Sequence, residues 1–288
     1  MRLLLCLLLF LPTSLFSLSL DGVLQENKEQ WLAHAPRCDG YVSKQDCDDG
    51  DSTLFAGLVC LSGEEIGCLT VKDSQSADGR WWRSPRRNPG NIGKHNSFSR
   101  DMALGVLAYL VKTKDQEAAV QWKSWIDKNR PCLISFFGCR LRGLHRYCKD
   151  DDDKRCTITP AMFQMMYYTW KYIGLEPTTN MKRHSGTPLV KPSQKGYAMH
   201  LYGVQEYLRQ IMGRGKKEAA IELVERERTN PFFMYLYQGK TDAVKARVLE
   251  VCPTTTDHLQ TQWAWERRTA KKAWEKSMMW DCLFMANL

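Results

Sequence analysis

Two short stretches of the chain crowd carboxylates at what read as helix starts. The first is Asp48-Asp49-Gly50-Asp51, just ahead of the apolar run at residues 54–61. The second is Ser97-Phe98-Ser99-Arg100-Asp101, which opens the clearest helical pattern in the chain. A carboxylate in a first helical turn is held ionised by the helix dipole, which suits Asp101 to act as a base or nucleophile. Arg100 beside it suits bidentate binding of a substrate carboxylate. Crowding among Asp48, Asp49 and Asp51 is expected to push one of their pKa values upward, as a general acid requires. The plain alternatives are a capping carboxylate paired with an arginine and a solvated acidic turn. Calcium is a rival for the acidic knot, although its spacing does not match an EF-hand loop.

Between the two stretches lies a loop dense in Trp, Arg and Gly. Trp81, Trp82, Arg83 and Arg86 combine flat aromatic faces with fixed cations, the means by which a cleft holds an anionic sugar by stacking and bidentate hydrogen bonds. Packing beneath the loop is the other reading of the tryptophans. Asn96 adds a polar contact. His95, with Asn91, Asn96 and Tyr109, would suit β-elimination, in which Asn or Arg neutralises a uronate and His or Tyr removes a proton. Trp263, Glu266, Arg267 and Trp274 recur on one helical face, as a far cleft wall or as core.

The elements that must position these groups are helical. Ser99 reads as an N-cap, and Met102, Val106, Tyr109 and Leu110 follow at the spacing of an apolar helix face. A turn at 112–115 and a return helix at 116–127 make a hairpin. Pro160 opens a further helix, apolar around most of its girth and closed by Gly174. Segments 196–212 with 216–228, and 231–237 with 242–251, make two more hairpins, followed by helices at 258–268 and 276–286. Long loops are expected at 67–97, 132–159 and 178–195, the first with one short strand at 68–71. The fold class is all-α.

The first nineteen residues have one positive charge, an apolar run broken by Pro12, and a small-residue ending, the pattern of a secretory signal peptide. No other stretch is long and apolar enough to span a bilayer. Residues 20–288 then form one domain. Without the leader ten cysteines remain, an even number that implies five disulfides in an exported chain. Short gaps favour Cys38–Cys47, Cys60–Cys68 and Cys252–Cys282, with Cys132, Cys139, Cys148 and Cys156 pairing among themselves. There is no Cys-x-x-Cys pair and no dinucleotide, Walker or zinc-protease motif, so neither metal nor cofactor is expected. The net charge of +9 on a secreted chain suits an acidic glycan, an anionic surface or an acidic protein in place of nucleic acid.

The order of these features, with Asp48-Asp-Gly-Asp51 before a helix, a long loop, then Ser97-Phe-Ser-Arg-Asp101 opening a hairpin, resembles the α/α-toroid, or six-hairpin, carbohydrate-active proteins. The resemblance implies a ring or partial ring of hairpins, with sugars bound at the rim formed by inner-helix N-terminal loops. The expected function is that of a secreted protein acting on an acidic glycan by hydrolysis or elimination; the alternative is a non-catalytic secreted protein that uses the same Trp/Arg loop to hold a glycan or a protein.

Overall fold

The computed structural model describes residues 19–44, 47–88, 93, 96–149, 153–177, 197–252 and 278–288. Those residues are mostly helical, with two small β-hairpins. The expected leader, the loop at 178–195 and the helix at 258–268 lie outside them, as do His95, Asn91, Trp263, Glu266, Arg267 and Trp274.

Helix α1 (Leu20–His34) starts where the Ser19 side chain accepts a hydrogen bond from the Gly22 amide, and it buries Leu24 and Trp31. Strands β1 (Arg37–Cys38) and β2 (Tyr41–Val42) pair antiparallel around Asp39-Gly40, both with positive φ. Such a two-residue turn matches the twist of a hairpin and favours Asp-Gly. Helices α2 (Ser52–Ser62) and α4 (Arg100–Thr113) are buried almost from end to end and pack closely on each other. They cross at Gly57 and Gly105, where an added Cβ on either would sit 2.1 Å from a backbone oxygen of the other helix. Two glycines at equal depth, about one and a half turns inside each helix start, let the backbones touch and bring the two N-termini side by side.

Residues 68–71 are not a strand. They belong to α3 (Glu65–Asp73), folded back on α2. The Cys60–Cys68 disulfide and Gly67, whose Cβ would meet the α2 backbone at 2.4 Å, fix that packing. Thr70 Oγ1 donates to Ile66 O and accepts from Val42 N, so tertiary contacts override the strand preference of Leu-Thr-Val.

Helix α5 (Gln116–Lys128) returns from α4 through Lys114 in the left-handed region, with the Asp115 side chain capping Ala118 N. The segment from 132 to 159, expected as a loop, carries the hairpin β3 (Cys132–Ser135) and β4 (Cys139–Arg142) and a 3-10 turn at Lys154–Cys156. Thereafter come α6 (Pro160–Tyr172), α7 (Tyr197–Ile211), α8 (Lys217–Arg226), α9 (Pro231–Gln238), α10 (Asp242–Val251) and α11 (Met278–Asn287). Thr159, Asn230 and Thr241 cap their helices with side-chain oxygens. The packing contacts return to their start: α1 lies on α10 and α11, α11 on α2, α2 on α4, α4 on α6 and α7, α7 on α8 and α9, and α9 on α10. Five disulfides staple the chain: Cys38–Cys47, Cys60–Cys68, Cys132–Cys139, Cys148–Cys156 and Cys252–Cys282.

Candidate functional site

Arg83 joins the two helix mouths. It is 2% exposed, and its guanidinium donates to Gly50 O at 2.5 Å on the α2 side and to Ser97 Oγ and Ser99 Oγ at 3.0 Å on the α4 side. Thr53 in the first turn of α2 returns the contact, with its amide and hydroxyl both donating to Arg83 O. A planar fork with several fixed donors can tie two strands of backbone at once, which a lysine cannot. Ser97 also donates to Asp153 Oδ2 at 2.5 Å, and Asp153 is gripped by Arg155 at 2.7 and 2.8 Å. A third segment, just ahead of α6, is thereby fastened to the same place.

The three aspartates before α2 divide into two kinds. Asp48 and Asp51 face Lys44, a wholly buried ammonium, at 2.9 and 3.3 Å. Asp49 is 1% exposed, with Arg86 Nε at 3.5 Å from its Oδ2 and no hydrogen bond to that oxygen among the described residues. Burial pushes the Asp49 carboxyl above the ordinary range. Ser84, Arg86 and Asn88 pull it back toward the anion, while Asp48 adds a small push upward. One member of the knot is therefore raised as expected, but desolvation does most of it and crowding little. At Asp153 burial opposes the anion too, yet the hydrogen bonds from Arg155 and Ser97 prevail and hold it well below the usual carboxylate range.

At the α4 mouth, Asp101 is buried in the first turn and Arg100 is exposed. Tyr147 lies within reach of the Arg100 charge, and its own burial pushes its hydroxyl far up. Asn96 is exposed and holds Arg80 through its backbone and side-chain oxygens.

The Trp/Arg loop is more structural than its composition suggests. Trp81 is 1% exposed, donates to Val71 O at 2.8 Å, and wedges edge-on between Tyr109 of α4 and Trp122 of α5. It offers no face for stacking a ligand, which corrects its expected binding role. Arg83 is likewise committed to the mouths and is a positioning residue. Trp82 is half-buried beneath Arg80, whose guanidinium lies 3.8 Å from the ring centroid, with Arg87 at 5.6 Å. Arg86 is the loop cation that reaches the acidic knot, spanning Asp39 and Asp49. Tyr109 does not join the mouth. Nine residues along α4 from Arg100, about 13 Å away, it donates to Asp115 at 2.7 Å, and burial with that acceptor raises its hydroxyl.

Sequence reasoning missed Lys44, Ser97, Asp153 and Arg155. Asp153 follows three other aspartates in sequence and nothing in that order marks it, and only the fold shows its partner 56 residues away in Ser97. Two clefts, of 570 and 650 Å³, are lined by α5, Arg142 and Trp170, and by the end of α3 with the start of α5. Neither takes in a residue of the two mouths. The described residues contain no cluster of His, Cys, Asp and Glu able to hold a metal ion. The chain matches no protein-family model, no curated protein and no solved structure.

Proposed function

We propose that the protein is secreted and acts on an acidic glycan at the paired mouths of α2 and α4. Asp49 serves as general acid, Asp101 as the second carboxylate, and Arg86 and Arg100 bind the substrate's carboxylates. The observation that carries the reading is Asp49, an enclosed carboxyl raised by burial, with an unbonded oxygen, on a helix mouth clamped beside a second acidic mouth. The ring-like circuit of contacts from α1 to α11 and back supports the toroid part of the proposal. Ten cysteines paired as disulfides support export.

Polyuronate and sulfated oligosaccharides, assayed for new reducing ends and for unsaturated uronate, test this and separate hydrolysis from elimination. Asp49→Asn is expected to lower turnover by roughly 10²- to 10⁴-fold with substrate binding retained. Asp101→Asn is expected to act at least as strongly, and Arg100→Lys to raise KM, because lysine keeps the charge but loses the fork. No turnover on any acidic glycan, with tight binding on a glycan array that Arg86→Gln and Arg100→Gln weaken, would favour the binding-only reading. What favours that reading is the exposed rim of Arg87, Asn96 and Arg100.

A further inference from the structure

The β3–β4 hairpin carries its apolar side chains on the outside. Phe137 is 92% exposed, Phe136 66%, Leu133 63%, Ile134 54%, Leu141 48% and Leu144 69%. Every residue of both strands is exposed, and among the described residues each strand pairs only with the other. The pairing shifts register on either side of Ile134, so the side chains do not alternate regularly between faces. Leu133, Ile134 and Leu141 are nevertheless all exposed along the ribbon, and Phe136-Phe137 makes the tip apolar as well. A bilayer interface surrounds such a projecting apolar tip on all sides.

The charge around the hairpin points the same way. From 128 to 149 there is no acidic residue, while Lys128, Arg130, Arg140, Arg142, Arg146 and Lys149 carry six positive charges; the stretch is bounded by Asp127, which is held by Lys123 and His145, and by the four aspartates at 150–153, the last of them held by Arg155. Apolar groups flanked by Lys and Arg are the composition of elements that lie in a membrane interface, sunk about 5–10 Å. A four-residue strand rises about 13 Å, enough for that depth. The tip also satisfies its own backbone: Phe136 N donates to Gly138 O at 3.0 Å, and Arg140 Nε donates to Phe136 O at 3.0 Å. The Cys132–Cys139 disulfide ties the first residue of β3 to the first residue of β4, so little order has to be gained on insertion. No helix among the described residues is long and apolar enough to cross a membrane.

We infer that the β3–β4 hairpin is a membrane-docking element that inserts Phe136 and Phe137 into the surface of an anionic phospholipid bilayer while Arg140 and Arg142 hold the headgroups. It stands independently of the glycan reading. Flotation with phosphatidylcholine vesicles, with and without phosphatidylserine, at low and raised salt, tests it. The full protein should float with the phosphatidylserine vesicles and be released by salt. Phe136→Ser/Phe137→Ser should weaken partitioning on the order of tenfold to a hundredfold. Arg140→Gln and Arg142→Gln should weaken it roughly fivefold each and flatten the salt dependence. Unchanged near-ultraviolet circular dichroism and melting establish that these exposed substitutions leave the fold intact. Failure to float with phosphatidylserine vesicles, or flotation that the double phenylalanine variant does not reduce, would overturn the inference. So would a self-association in sedimentation that this variant abolishes while vesicles retain nothing, since the tip would then be a contact between two copies of the chain.

Discussion

Gly105→Ala separates two opposed effects at the centre of the fold. Helix propensity alone makes the substitution favourable by about 1 kcal/mol, because glycine is the poorer helix former. The new methyl, however, would lie 2.1 Å from Thr53 O and 2.7 Å from Leu54 Cα, both backbone atoms that cannot swing aside. To restore contact distance, α2 and α4 must part by about 1 Å, and such a gap forfeits a quarter to a half of the dispersion energy along the seam. Overpacking of this kind costs about 1–3 kcal/mol, and a backbone obstacle places it at or above the upper end. The net expectation is a loss of about 2 kcal/mol, which for a chain of this size lowers Tm by roughly 4–8 °C. Calorimetry and urea unfolding with disulfides intact measure it. Because the first methyl already opens the seam, Gly57→Ala/Gly105→Ala should lose less than the sum of the single losses. A Gly105→Ala protein that melts at or above the parent would refute the close crossing and, with it, the side-by-side placement of the helix mouths.

Three other outcomes follow from the same geometry. Arg83→Lys leaves either Gly50 O or the Ser97 and Ser99 hydroxyls without a buried donor, so a loss of about 1–3 kcal/mol is expected; hydrogen exchange should rise together in the first turns of α2 and α4, and a rise in one alone contradicts the bridge. Asp49 has a raised folded-state pKa, so its contribution to stability is full below the ordinary Asp range and lost as pH rises through the raised value. Asp49→Asn should therefore melt above the parent at neutral pH and converge with it in acid, and melts taken across pH that show the reverse order would disprove the assignment. Cys252→Ser/Cys282→Ser opens a loop of 30 residues and should cost roughly 3–4 kcal/mol by the chain-entropy relation, read as a shifted urea midpoint.

Helix starts were legible because their chemistry is local. Ser99, Thr159-Pro160 and the Asp115 turn each announce themselves within four residues, and the cysteine spacing pointed to short closures that the structure contains. What escaped was decided at a distance. Helix α3 forms because a disulfide and a glycine press it on α2, against the strand preference of its own residues. Trp81 sits in a polar loop yet fills the wedge between α4 and α5, a space that exists only once those helices have folded. Arg83 reads as a ligand-binding cation of the loop, yet its partners are a backbone oxygen that carries no sequence mark and two serines 14 and 16 residues on, so only the fold shows it as a clamp. The Asp39-Gly40 turn, by contrast, is a local signal, because Asp-Gly with both φ values positive is a favoured two-residue hairpin turn. At the site, the aspartates were identifiable as a group, but nothing in their order distinguished the buried one.

That distinction rests on competing magnitudes at Asp49. It precedes a helix N-terminus, where the macrodipole favours an anion by about 0.3–1 kcal/mol, and Arg86 adds an attractive charge at 3.5 Å. Ser84, Arg86 and Asn88 all favour its charged form, and burial outweighs the three together, so the carboxyl is raised. Asp48 and Asp51 both reach the buried ammonium of Lys44, at 2.9 and 3.3 Å. Asp49 reaches Arg86 instead, at 3.5 Å, so the three similar carboxylates divide between two cations. Asp49 thus combines near-complete burial, a raised carboxyl and an Oδ2 without a hydrogen bond among the described residues. The proposed general acid needs a carboxyl that can hold its proton, and burial beyond the reach of Lys44, opposed only in part by Arg86 and two neutral hydrogen-bond partners, is what suits Asp49 to that role.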